Sequence, residues 1–508
     1  MTSATARFAL ACASTACAAL AQAVPAAVFS DHMVLQRDQP VAVWGTASPN
    51  EQVSVRLDGQ VARAAADERG AWVAYLPPHA AGGPFELVVR ASNEVKIQDV
   101  LVGEVWICSG QSNMSWAMRE HEDTKSALEG AADAELRVLQ FPRVANRAPQ
   151  LGVEASWQVA AKESLEDFSA VAYGFGRHLR AELAVPIGLV HTSWGWTRAE
   201  AWTRESALAE HEVLRPILQR WDEIYARYPE AKSRHDAAVA KWKEEAAAAK
   251  AAGKKAPRRP RAPVGPDDRH APGRLHNGML RPLVPMTFRG AIWYQGESNA
   301  SRAFQYRTLF PTLIADWRAT FGRGQFPFLF VQLAAYADKR GHPEAWAELR
   351  EAQAMTLSVP NTGMACSIDL GLEDNIHPPH KLEVGRRLAL QALAGTYGED
   401  VVASGPRLSH YTIEGDVVRL HFDHIGGGLV QRGGALRGFE VATEDGDYEP
   451  AGARIDGDTV LVGGKTSAPR HVRYAWRHWP EFSLFNRQGL PAEPFRTDSR
   501  EGVTFTAR

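Results

Sequence analysis

Short runs of alternating apolar and polar residues, broken by Gly, Asp and Asn, fill the chain from about residue 28 to 97 and again after about 404. A side-chain period of two with regular turn spacing marks half-buried strands. Strands are therefore expected at 40–45, 52–57 and 85–89, and later at 417–422, 438–442, 459–462 and 472–476. These terminal regions read as flanking β-sandwich regions, either separate or paired into one. Between them the pattern changes. Apolar runs at 102–108, 137–141, 187–191, 290–294, 328–332 and 364–368 alternate with helical periodicity at 171–183, 306–321, 345–357 and 381–397. Such alternation predicts an α/β fold, a parallel sheet with helices on both faces. Ligands of such sheets bind beyond the carboxyl ends of the strands.

A mostly helical insertion at 205–273 interrupts the alternation, rich in Ala, Lys and Glu around 237–252 and then basic and Pro-rich. The run 254–261 is expected to be a solvated, semi-rigid connector, because prolines keep it extended and charges keep it wet. Contact with an acidic glycan is the alternative. The helical part is expected to pack on the central domain through Trp221, Tyr225 and Trp242. The resulting division is 1–23, 24–98, 99–403 with the insertion inside it, and 404–508.

At 508 residues the chain is too long for one ordinary core. Its formal net charge of −2 gives no electrostatic reason to expect binding to nucleic acid or acidic membranes, and a neutral polysaccharide fits better. Arg7 precedes an apolar, Ala-rich stretch, 8–21, that ends in Ala21-Gln22-Ala23. That is the form of an export signal cleaved after Ala23, which places the protein in the secreted or periplasmic class. No later stretch is long and apolar enough to cross a bilayer, so no membrane insertion is expected after signal removal. Cys12 and Cys17 lie in the signal. Cys108 and Cys366 sit in apolar, strand-like runs and are expected to be buried free thiols, with no metal site and no cofactor.

The segment from Glu104 to Met114 is a buried strand running into a tight, polar turn. Such a turn presents a nucleophile: the strand holds the backbone, Gly110 permits a close bend, and Ser112 points into the cleft above the sheet. A lone serine after a strand is commonly just a turn or a helix cap. Its partners are found in Asp374-Asn375-Ile376-His377-Pro378, on a loop between a strand and an amphipathic helix. His377 is the candidate base, and Asp374 the acceptor from its far ring nitrogen, which would fix the tautomer and stabilise the imidazolium. His380 is the alternative base. Activity would then fall as the imidazole protonates below about pH 6 to 7.

Gly110-Gln111-Ser112-Asn113-Met114 resembles the first motif block of the sialate O-acetylesterase family and its SGNH-hydrolase acetylesterase relatives. The segment from Leu189 to Trp202 resembles the second block, and Trp293-Tyr294-Gln295-Gly296-Glu297-Ser298-Asn299 the third. The Asp374 to Pro378 segment resembles the last, with Lys381, Gly385 and Arg387 following in family style. The resemblance implies an SGNH-type, flavodoxin-like sheet and a carbohydrate O-acetylesterase. Its substrate would be an acetylated glycan, either sialic acid or a plant wall polysaccharide such as xylan or xyloglucan, cleaved through an acyl-enzyme without cofactor. The oxyanion hole would use the backbone N–H of Ser112 and, by resemblance, Gly195 and a side-chain amide of the third block. Gln295, nearest the strand end, is slightly favoured over Asn299. In some relatives the acid of this block orients the histidine, so Glu297 could assist or replace Asp374. The family usually carries paired glycines where this chain has Gly195 followed by Trp196, which restricts the backbone and places a large aromatic at the cleft. Trp116 and Trp196 are candidates for stacking on sugar rings, core packing being the alternative, and Trp293 is expected to be buried. The cluster at 476–480 is left unplaced. A non-catalytic glycan-binding surface protein and a lipase-like SGNH esterase are the competing readings.

Overall fold

In the computed structural model, which describes residues 22–339, 341–464 and 466–507, the strand Glu94–Gly110 organises the fold. Its first half alternates in burial, as a strand with one wet face does, and pairs antiparallel with Gly82–Arg90. From Val100 onward every residue is buried, and this half pairs parallel with Ile187–Ser193 and Gly290–Tyr294. One strand thus makes the N-terminal β region continuous with the central sheet, running straight through position 98. The expected export signal lies outside the described residues up to 21. Ala23, at its end, is buried and exchanges two hydrogen bonds with Asn93.

All the central strands expected from the sequence form, with Asp133–Gln140 and Thr362–Cys366 slightly displaced from 137–141 and 364–368. The order across the sheet is Trp157–Ala160, Asp133–Gln140, Ile187–Ser193, Glu94–Gly110, Gly290–Tyr294, Phe328–Gln332, Thr362–Cys366. Only the edge strand Trp157–Ala160 runs antiparallel. After Glu94–Gly110 the chain first builds one side of the sheet and then, from Gly290 on, the other. The winding direction therefore reverses at Glu94–Gly110, which opens a crevice beyond its carboxyl end.

Register allocates the faces. Trp106 lies opposite Gly290 and Trp293 opposite Ser109, so the two indoles point to opposite sides of the sheet. Trp106 meets Phe175 of helix Ala170–Leu183, whereas Trp293 meets Phe310 and Trp317 of helix Ala303–Phe321. Helix Lys381–Ala392 packs on Ala170–Leu183 at a point where no side chain intervenes. A Cβ on Gly385 would stand 2.5 Å from the Val171 carbonyl oxygen, and one on Gly174 2.9 Å from the Leu382 backbone.

The insertion is dominated by Arg215–Ala251, a 37-residue helix of which only Ile217 and Trp221 are buried. Trp221 and Tyr225 anchor it to the central domain as expected. Trp242 does not: its Nε1 donates to the Pro257 carbonyl and its ring receives Arg259, so it ties the basic, Pro-rich segment back to the helix. After residue 404 the chain forms separate small sheets around Val418, Leu420, Val460, Val462 and Tyr474. Ala335, Cys366 and Ile368 of the central domain enter that cluster. Among the described residues no sheet joins strands of the two terminal regions. Cys108 and Cys366 are buried free thiols.

The Gly385 contact makes a stability prediction. Gly385→Ala is expected to cost about 1–3 kcal/mol through overpacking between the two helices, read as a lower denaturant midpoint at unchanged slope.

Candidate active site

The turn after the central strand is shaped by backbone crowding. Gly110 has φ +141°, and a Cβ there would stand 2.2 Å from the Tyr294 carbonyl oxygen, so only glycine fits between the ends of the flanking strands. Gly110 accepts from Trp194 N (3.1 Å), and Gln111 N donates to the Tyr294 carbonyl (3.0 Å). Ser112 then opens a single helical turn, Ser112–Ser115. The backbone of Gly195 lies against it: a Cβ on Gly195 would be 3.4 Å from Ser112 Cβ and 3.9 Å from Ser112 N.

His377 arrives from the opposite loop, where the Asn375 side chain accepts from its backbone N–H (2.9 Å). Its ring meets two tryptophans, 5.2 Å from the Trp116 ring at a shallow angle and 6.2 Å from the Trp196 ring edge-on. His377 Nε2 is enclosed and has no hydrogen-bond partner. Burial, with the Lys381 charge adding to it, pushes the imidazole pKa down to about 4.

Asn113 joins the two loops. Its Nδ2 donates to Glu297 (2.5 Å) and to the Ile376 carbonyl (3.0 Å), and its Oδ1 accepts from Lys381 Nζ (2.5 Å). The residue after Ser112 is thereby tied to the residue before His377. Lys381 is fully buried, 5.4 Å from the Trp116 ring and 5.8 Å from that of Tyr294. Burial pushes its ammonium down to about 7 against the pull of Glu297, and burial pushes the Glu297 carboxyl up. Sequence reasoning named Glu297 but missed Asn113 and Lys381 as a unit. The available signal was that Asn113 falls inside the first block, and Lys381 just after the last, without a chemical task.

Other expectations are redirected. Asp374 is exposed and makes no ion pair with His377, because the Asn375 turn leaves its carboxylate in solvent. Glu297 reaches Asn113, not the imidazole. Gln295 is buried with both amide hydrogens occupied, by the Thr197 carbonyl (3.3 Å) and Asn299 Oδ1 (2.7 Å), while its Oε1 accepts from Tyr306 (3.0 Å). It is a cross-link between the second and third blocks. Asn299 donates one Nδ2 hydrogen to Glu200 (2.8 Å), which leaves the other. His380 is exposed, 3.8 Å from Asp123. Trp293 is buried in the core. The 476–480 cluster is held at the same edge of the sheet: the His478 carbonyl accepts from Tyr336 N, and Ala337 N donates to the Glu373 carbonyl beside the histidine loop.

The Ser112 turn and the His377 loop, joined through Asn113, lie at the switch point of a parallel α/β sheet, and similarity to known proteins identifies the class as an ester hydrolase. The family model described as "Carbohydrate esterase, sialic acid-specific acetylesterase" matches residues 274–394. Human sialate O-acetylesterase is 32% identical, over 92% of this chain and 91% of that protein, and the mouse protein 30%, over 92% and 93%. The crystal structure of a carbohydrate acetylesterase from Xanthomonas citri superposes with a TM-score of 0.80 at 37% identity, covering 94% of this chain and all of that one. The chain belongs to the sialate O-acetylesterase family and is an esterase, which sets aside the reading as a non-catalytic glycan-binding protein.

The Asn113 junction is testable by stability. Asn113→Ala leaves Lys381 Nζ and Glu297 Oε1 without their shared partner in a dry site, and about 3 kcal/mol of unfolding free energy is expected to be lost in denaturant titration.

Proposed function

We propose that the chain is an exported SGNH-type carbohydrate O-acetylesterase that hydrolyses acetyl esters on glycans through a Ser112 acyl-enzyme. The observation that carries this is the enclosed, partnerless Nε2 of a neutral His377, held beside the Ser112 turn by the Asn113 bridge. His377 takes the Ser112 hydroxyl proton as the oxygen attacks the acetyl carbonyl. The backbone N–H groups of Ser112 and Gly195 receive the oxyanion, joined by the remaining Asn299 Nδ2 hydrogen rather than by Gln295. Collapse expels the sugar hydroxyl with the proton returned by His377. Water, deprotonated by the same imidazole, then releases acetate. Asp374 closes on the far ring nitrogen as the imidazolium forms, since hydrogen bonds of this kind tighten in the reacting complex.

Acetylated sialic acid is the substrate class that the relatives' names favour, with acetylated xylan or xyloglucan as the second class. Residues 1–23 act as the export signal of a secreted or periplasmic enzyme, in which the β region 24–98 is continuous with the central domain 99–403 through Glu94–Gly110 and is followed by the C-terminal unit 404–508. No helix among the described residues is long and apolar enough to cross a membrane.

Acetate release from a panel of acetylated sialosides and plant glycans reads the activity directly. Ser112→Ala is expected to lower it at least about a thousandfold, and a variant retaining a tenth of the wild-type rate would refute the mechanism.

The pH profile reads the base. His377 works only when neutral, and its pKa is held down at about 4. Activity on a small ester is therefore expected to persist through mildly acidic pH and to fall only as pH drops through that value, lower than an unperturbed histidine would give. Removing the nearby positive charge in Lys381→Met raises the imidazole pKa and moves the acid limb to higher pH. An acid limb that does not move would contradict the assignment.

A further inference from the structure

Trp196 holds a backbone conformation that its side chain resists. Its φ is +68°, in the left-handed region where a Cβ crowds the following carbonyl, and turn positions with that geometry ordinarily take Gly or Asn. Packing does not explain the residue, because the side chain is 53% exposed and its one ring contact among the described residues is with His377. Strain retained where it stabilises no core points to a use for the side chain.

Location defines that use. Gly195, the residue before it, has its backbone against Ser112, and the Trp196 ring stands edge-on 6.2 Å from His377. The indole is thus beside both reacting groups and faces solvent. An acetyl group is small, and a wall shaped to it would be enclosed. The part of the ester that projects outward is the alcohol, which in a glycan is a pyranose ring. Trp116, which also meets the His377 ring, is a fixed wall: it is half-buried, lies at a shallow angle to the imidazole and covers Lys381. Trp196 is the free aromatic surface. An indole presents a broad apolar face suited to the C–H face of a sugar.

We propose that Trp196 is a specificity-determining residue that stacks on the sugar ring whose acetylated hydroxyl is offered to Ser112. This rests on the acetylesterase reading. The test compares wild type, Trp196→Gly and Trp196→Phe on an acetylated oligosaccharide and on ethyl acetate, whose alcohol part has no ring. Trp196→Gly is expected to lower kcat/KM for the oligosaccharide at least tenfold more than for ethyl acetate, chiefly through KM. Its Tm should equal or exceed that of wild type, since glycine is at ease at this φ. Trp196→Phe should recover most of the glycan loss. Equal losses on both substrates would overturn the proposal and make the ring a partner of His377 alone, and no loss on either would overturn it too. Wild type that releases acetate from ethyl acetate but from no glycan would overturn the parent reading and this one together. Wild type active on glycan beside an unimpaired Trp196→Gly would overturn this one alone.

Discussion

One carboxamide carries the constraint on which the site depends. Asn113 is buried, with its nitrogen on Glu297 and the Ile376 carbonyl and its oxygen on Lys381. A charge in dry surroundings is costly unless it is bonded, so moving that amide would orphan the Lys381 ammonium and strip Glu297 of a side-chain partner. Asn113 follows Ser112 in the chain and Ile376 precedes His377. The cost of dismantling the junction is therefore what keeps the Ser112 turn and the His377 loop together, although 263 positions separate Asn113 from Ile376.

The surrounding fold serves this junction through backbone contact. The reversal of winding at Glu94–Gly110 brings the ends of two neighbouring strands around Gly110, and the lack of a Cβ there lets the turn sit against Tyr294. On the other side, Lys381 begins a helix whose height is set one turn later, where Gly385 meets the backbone of Val171 and Phe175. Ammonium placement is thus a consequence of helix–helix packing. Two bare backbone approaches, one beside the strand and one beside the helix, determine where the polar atoms meet.

Periodicity made the central sheet, its helices and the separate C-terminal strands legible, because burial on one or both faces writes itself into local sequence. The four ordered blocks likewise pointed to the turn after the central strand and to the His377 loop, which Asn113 joins. What local pattern did not contain was partner choice. Nearness to the strand end favoured Gln295 over Asn299 for the oxyanion, and only the count of their occupied hydrogens, set by the Thr197 carbonyl, Asn299 Oδ1 and Glu200, reverses that preference. Asp374 stands three residues from His377, yet the Asn375 side chain accepts from the His377 backbone N–H and the Asp374 side chain stays exposed. The N-terminal boundary was hidden for a similar reason: one strand changes from a half-wet to a fully buried pattern without a break in the chain. Trp242 has the composition of a packing residue and is taken by the proline segment opposite.

The electrostatics of the base set a requirement on the reaction. Burial and the Lys381 charge both favour neutral imidazole, which is the form needed to accept a proton. The same two influences oppose the imidazolium that acceptance creates, so a base tuned only in this way would be available and ineffective. A negative charge must approach the ring during the step. Glu297 is engaged by Asn113 and is itself pushed toward its neutral form by burial, which makes it a poor source of that charge. Asp374 is exposed and is not among the charges acting on the imidazole in the resting site. In the proposed mechanism a carboxylate that stays in water until the proton moves would add no resting ion pair to raise the histidine pKa and would supply its stabilisation as charge develops, which is the condition for favouring the transition state over the ground state.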